Sequence, residues 1–236
     1  MLLAALAAGC AAPAPAPVSE RGIADPPSSG YHRVREGDTL YSIAWRYGVD
    51  WEEMARRNGI GPPYTILPGQ RIWILGPSVA AAPSPSAAPQ RTLPRAEPAP
   101  TARRPAPSPP PAPTAAGPVR WAWPLEGEIV QGFALSGSRI NKGIDIRGAP
   151  GSAVRAAARG EVVYAGTGLR GHSRLVIVKH DDTWLSAYAH DDEILVQEGQ
   201  VLQAGDDVAR LDDGTLHFEI RRQGKPVDPA GLLPAR

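Results

Sequence analysis

Two stretches of the chain carry apolar residues at a structural period, and the stretches around them carry none. In the first, Leu40, Ile43, Ala44 and Tyr47 recur at i, i+3, i+4 and i+7, the spacing that lines one face of an α-helix. Asp38 or Thr39 stands where such a helix needs an N-cap, and Gly48 where it needs a left-handed stop. Asp50 opens a second helix, with Glu53 at the capping-box spacing, Met54 and Ala55 on its apolar side, and Asn58-Gly59 at its end. Tyr31-His32-Arg33-Val34 alternates like a strand, and Ile72 and Ile74 share one face of a closing strand. Residues 31–74 therefore predict a small β-α-α-β unit.

The second stretch begins near Gly127 and has a different period. Short β-rich runs (Glu128–Phe133, Glu161–Ala165, Leu175–Lys179, Trp184–Tyr188) are separated by glycine, and no helical period persists between them. This pattern predicts a mainly antiparallel β domain.

Composition explains what lies between. Of the 27 prolines, 14 fall between Leu75 and Pro118, among Ala, Ser and Thr, with a single leucine after Val79. Such a segment buries too little apolar surface to offset its chain entropy, and is expected to be a disordered, partly polyproline II linker. Its 44 residues reach on the order of 140 Å when extended at about 3.1 Å each. A shorter Ala/Pro tract runs from Ala11 to Ser29. The organisation expected is 1–10 a signal remnant, 11–29 a tether, 30–75 the small domain, 76–118 the linker, and 119–236 the large domain.

The formal net charge of +1 argues against a nucleic-acid partner, which would call for a clustered basic excess. One cysteine excludes an intramolecular disulfide and a cysteine-based zinc cage. That cysteine, Cys10, follows the apolar run Met1–Gly9 and the small residues Ala7-Ala8-Gly9. The run is too short to span a bilayer. It resembles the end of a bacterial lipoprotein signal, which implies lipidation at Cys10. Ala11 in place of Asp implies an outer-membrane anchor facing the periplasm of a Gram-negative bacterium.

The small unit resembles the LysM family through GDTL (Gly37 to Leu40), YSIAWRYGV (Tyr41 to Val49), Asn58-Gly59 and LPGQRI (Leu67 to Ile72). The resemblance implies binding of N-acetylglucosamine-containing glycan strands in a shallow groove between two loops. Its lips would be Gly37, Asp38, Thr39 and Leu40 on one side and Ile66, Leu67, Pro68 and Gly69 on the other.

The large unit resembles the LytM, or lysostaphin-type, zinc endopeptidases. The residues that carry this are NKGIDI (Asn141 to Ile146), GEVVYAG (Gly160 to Gly166), LVIVKH (Leu175 to His180), YAH (Tyr188 to His190), EGQVLQAGD (Glu198 to Asp206) and TLHFEIR (Thr215 to Arg221). Active members read His-x-Gly-x-Asp at the first motif and His-x-His at the last. Here Asn141 stands at the first zinc-ligand position, while Asp145 and His217 are retained. His190 is retained at a catalytic position whose partner position holds Thr215. A catalytic zinc site needs three good protein ligands and an open position. The resemblance therefore implies a degenerate domain with no catalytic residues and no metal cofactor. His172 is placed by no motif as a substitute ligand, and His180 ends a β run as a structural residue.

Taken in order, these parts resemble the NlpD family of murein hydrolase activators. This implies a non-catalytic, peptidoglycan-binding activator of a periplasmic N-acetylmuramoyl-L-alanine amidase (AmiC-type), which promotes septal splitting and daughter-cell separation. Asn141, Asp145, His190, Thr215 and His217 are then the candidate amidase-docking groove. Two other readings stay open: a zinc endopeptidase with a non-standard ligand, and a passive tether between outer membrane and wall.

Overall fold

The computed structural model describes residues 30–74, 118–167, 174–190, 192–212 and 214–235. Cys10, the tract 11–29, the linker up to residue 117 and His172 lie outside the described residues. Among the described residues no helix is long and apolar enough to cross a membrane.

The first module pairs β1 (Tyr31–Arg33) with β2 (Arg71–Trp73) antiparallel and places α1 (Leu40–Tyr47) and α2 (Trp51–Arg57) between them. Thr39 is the N-cap of α1: its hydroxyl accepts from the Ser42 N–H, and the Ser42 hydroxyl accepts from the Thr39 N–H. The capping box thus forms on α1 through Ser42. On α2, Asp50 accepts from the Glu53 N–H, but the Glu53 carboxylate turns away to Arg56 and Arg57. Two arginines within one turn hold that carboxylate better than a single backbone N–H at the cap. Gly48 closes α1 at φ 63° and its N–H reaches the carbonyl of Ala44.

The second module is one large antiparallel sheet backed by a smaller one. Its strands are β3 (Glu128–Gln131), β4 (Ile144–Arg147), β5 (Ala153–Arg155), β6 (Gly160–Thr167), β7 (Arg174–Lys179), β8 (Trp184–His190), β9 (Val201–Leu202), β10 (Asp207–Arg210), β11 (Thr215–Arg222) and β12 (Lys225–Val227). The large sheet runs β3-β4-β11-β8-β7-β6-β9, with β12 pairing the far half of β11. Strands β5 and β10 pair separately.

Alternation along β11 sorts its side chains onto two faces. Leu216, Phe218 and Ile220 point into a core shared with Ile144, Ile146, Val162, Val176, Val178 and Tyr188. The residues between them, His217, Glu219 and Arg221, share the opposite face. That face is not left to solvent. Leu175, Ile177, Leu185, Ala187 and Tyr164 on it form one apolar cluster with Leu40, Ile43, Trp45, Trp51 and Met54 of the first module. The large sheet is therefore covered on both sides, which is why β7 and β8 are buried along nearly their whole length.

Candidate functional site and family membership

Strand pairing assembles the site. His217 on β11 lies directly across from Asp145 on β4 and from Ala189 on β8. His217 Nδ1 is 2.6 Å from Asp145 Oδ1, and its Nε2 is 3.1 Å from Glu219 Oε1. Glu219 in turn accepts from Arg221 Nε at 3.0 Å and Nη2 at 2.8 Å. The result is a line of four alternating charges, Asp145–His217–Glu219–Arg221, along the face that continues under the first module.

Electrostatics sets the protonation states along this line. Burial works against a charge on His217, but the hydrogen bonds to Asp145 and Glu219 outweigh it and push its pKa up to about 9. The ring is then a cation at neutral pH, with both nitrogens donating. Burial likewise favours a neutral Glu219, yet the Arg221 guanidinium and the His217 ring hold its carboxyl down at about 2.

The other predicted groove residues are placed differently. Asn141 is buried at the edge beside β3, where its backbone exchanges both hydrogen bonds with Ala134. Its Oδ1 accepts from the Gly143 N–H at 3.3 Å, and its Nδ2 faces the Gln131 carbonyl at 3.5 Å. The amide serves the turn into β4. Gly143 is required there, because a Cβ would sit 2.1 Å from the Phe218 carbonyl oxygen. Thr215 starts β11 across from Arg147, two residues before His217 and on its face. His190 ends β8, buried, one residue beyond the Ala189 that pairs with His217. Its Nδ1 accepts from the Asp192 N–H.

Sequence reasoning missed Glu219 and Arg221. Acidic and basic residues at alternate positions of a strand normally mark a solvated face, and only the covering module buries these two. His180, set aside as structural, is tied to the Arg159 carbonyl at 2.7 Å and to the Ser186 hydroxyl at 2.8 Å. Burial pushes its pKa down to about 4, against the pull of the Arg159 carbonyl, so the ring is neutral.

In the first module the second proposed lip is tied to the end of β1, by hydrogen bonds from Gly69 N to the Val34 carbonyl and from Val34 N to the Gln70 carbonyl. Gly37 and Gly69 turn at φ 79° and 88° with open space around them, and Leu67 is 66% exposed. Leu40 is instead a core residue at 1% exposure, so only its backbone can face a ligand. The Asp38 carboxylate is already engaged by His32 Nε2 and the Arg35 N–H, and so braces the lip from within. Burial opposes its charge, but those partners and Arg46 keep its pKa below the usual value.

The modules define the class: a LysM domain joined to a domain of the M23 peptidase fold. The LysM domain model matches residues 32–75, and the Peptidase family M23 model matches residues 139–229. The chain belongs to the NlpD/LppB lipoprotein family. It is 52% identical to the lipoprotein NlpD/LppB homolog of Pseudomonas aeruginosa, over 89% of this chain and 79% of that protein. It is 37% identical to the murein hydrolase activator NlpD of Escherichia coli, over 89% of this chain and 69% of that protein. A solved zinc-containing peptidase from Vibrio cholerae aligns at 24% identity and a TM-score of 0.43, over 46% of this chain and 39% of that one.

Proposed function

We propose that this protein is a non-catalytic, peptidoglycan-binding activator of a periplasmic N-acetylmuramoyl-L-alanine amidase, of the AmiC type, held at the outer membrane through a lipid on Cys10 and acting in septal wall splitting. Relatives that carry the name murein hydrolase activator support the activator half of this reading.

One observation carries the non-catalytic half: the first zinc-ligand position holds Asn141, whose side chain is engaged by the turn into β4. Asp145 and His217 stand together, 2.6 Å apart, but they are two donors where a catalytic zinc needs three. Asn141 offers only a neutral amide oxygen, and that oxygen already accepts from Gly143. The donor set does not fit a catalytic zinc, and Thr215 supplies no acid or base near neutral pH. What remains is a polar face, with Ile129, Val130, Leu135 and Ile140 of the neighbouring β3 edge each more than a third exposed. Such a surface suits docking better than hydrolysis. An activator works only if it binds the open state of its partner more tightly than the closed one.

The deciding experiment is a two-enzyme assay on isolated sacculi. The full chain alone is expected to release no soluble fragments. Added to the cognate amidase, it is expected to accelerate fragment release strongly. Release by the chain alone in the presence of zinc would establish an endopeptidase, and unchanged amidase turnover would leave only a tether.

A further inference from the structure

The contact between the two modules is specific, and it engages Arg221 at the end of the charged line. Arg221 Nη1 donates to the Trp45 carbonyl at 2.7 Å, and the guanidinium lies 3.5 Å from the centre of the Trp45 ring. On the other side of the contact, Lys179 Nζ lies 4.6 Å over the ring of Trp51. Between β11 and β12 the turn passes through Gln223 at φ 48° and Gly224 at φ 74°. A Cβ on Gly224 would stand 2.5 Å from the Val49 carbonyl carbon. The turn needs a left-handed residue at that position, and the contact needs that residue to have no side chain.

We infer that the β11–β12 hairpin, with Arg221 and Gly224, is a seat for the chain's own LysM domain, and that the seated domain covers one end of the site face. The exposure of the charged line supports the cover. Side-chain exposure falls from 21% at Asp145 to 11% at His217, 7% at Glu219 and 3% at Arg221, toward Trp45. A partner lying along β11 meets Trp45 before it reaches the end of that line. Because both modules share one chain, their effective concentration keeps a modest seat filled, while an added clash or a competing ligand empties it. The consequence for an amidase rests on the activator reading above; the seat does not.

The test uses the full chain carrying Gly224→Asn. Asparagine tolerates the left-handed conformation, so the hairpin survives while its side chain wedges the modules apart. Gly199→Asn is the control, since Gly199 also turns at positive φ but has open space around it. Lys179→Glu attacks the contact from another side, placing a carboxylate near Glu52 and Asp182. Backbone ¹⁵N relaxation reads the outcome. The native chain and the control are expected to show one rotational correlation time for both modules. The two variants are expected to show two, the shorter belonging to the LysM domain. A single time in both variants overturns the seat.

Amidase stimulation is then measured on the same samples. Release of the LysM domain is expected to raise stimulation about twofold or more, as an exposed face shifts the partner further toward its open state. Separate tumbling with unchanged or weaker stimulation overturns the cover. A native chain that stimulates no amidase overturns the activator reading, and the cover with it, while the relaxation result still decides the seat.

Discussion

Replacing Glu219 by alanine tests the charged line most directly. The substitution removes three charge-assisted hydrogen bonds, to Arg221 at 3.0 and 2.8 Å and to His217 at 3.1 Å. It leaves Arg221, one of the most deeply buried charges described, without its counter-ion. Breaking a buried pair from one side costs about 3–5 kcal/mol. The lower end applies, because Asp145 still holds His217 and Arg221 keeps the Trp45 carbonyl and ring. The expected loss is therefore about 3 kcal/mol, or a fall in Tm on the order of 10 °C. Urea denaturation followed by circular dichroism measures it, since urea does not screen charge as guanidinium does. The double substitution Glu219→Leu with Arg221→Met replaces the pair by apolar side chains of similar size, and is expected to recover at least half of the loss. A Glu219→Ala loss below about 1 kcal/mol, or a double variant worse than the single, would show that this line is not a buried, mutually compensating set of charges.

Two further outcomes follow from neighbouring parts of the sheet. The folded pKa of His180, about 4, lies below its unfolded value near 6.5, so the unfolded chain binds the extra proton between those values. The contribution of His180 is complete above about pH 6.5 and is lost as pH falls toward 4, by roughly 2–3 kcal/mol after allowing for partial solvent contact. His180→Gln should flatten that limb of the stability–pH profile, and an unchanged slope would refute the assignment. Gly143→Ala should cost more than about 2 kcal/mol, because its methyl would collide with the Phe218 carbonyl on the neighbouring strand. A native-like urea midpoint for that variant would show that β4 and β11 can separate there without loss.

Much of the molecule was legible because its signals are local. A helix whose cap, apolar spacing and stopping glycine agree, as from Thr39 to Gly48, specifies itself within one window of chain. The two periods, near 3.6 in the first module and near 2 in the second, separated the architectures for the same reason. The motifs around Asn141, Asp145, Thr215 and His217 were visible as residue types at set spacings. Sequence could not show what those side chains bind to. The commitment of Asn141 to Gly143, and of both His217 nitrogens to carboxylates, depends on strands far apart in the chain being laid in one register.

What the sequence by itself determined is therefore the inventory: two modules, their secondary structure, and a motif set resembling that of a peptidase. The tertiary structure alone decided that Glu219 and Arg221 are buried. It also decided that His217 lies between two carboxylates and that the LysM domain sits on the face carrying them. The physical reason lies in the alternation of β11. The strand places Leu216, Phe218 and Ile220 on one face whatever covers the other, so its sequence is equally compatible with a solvated charged face. Only the arrival of Trp45 and its neighbours from the first module turns that face into an interior.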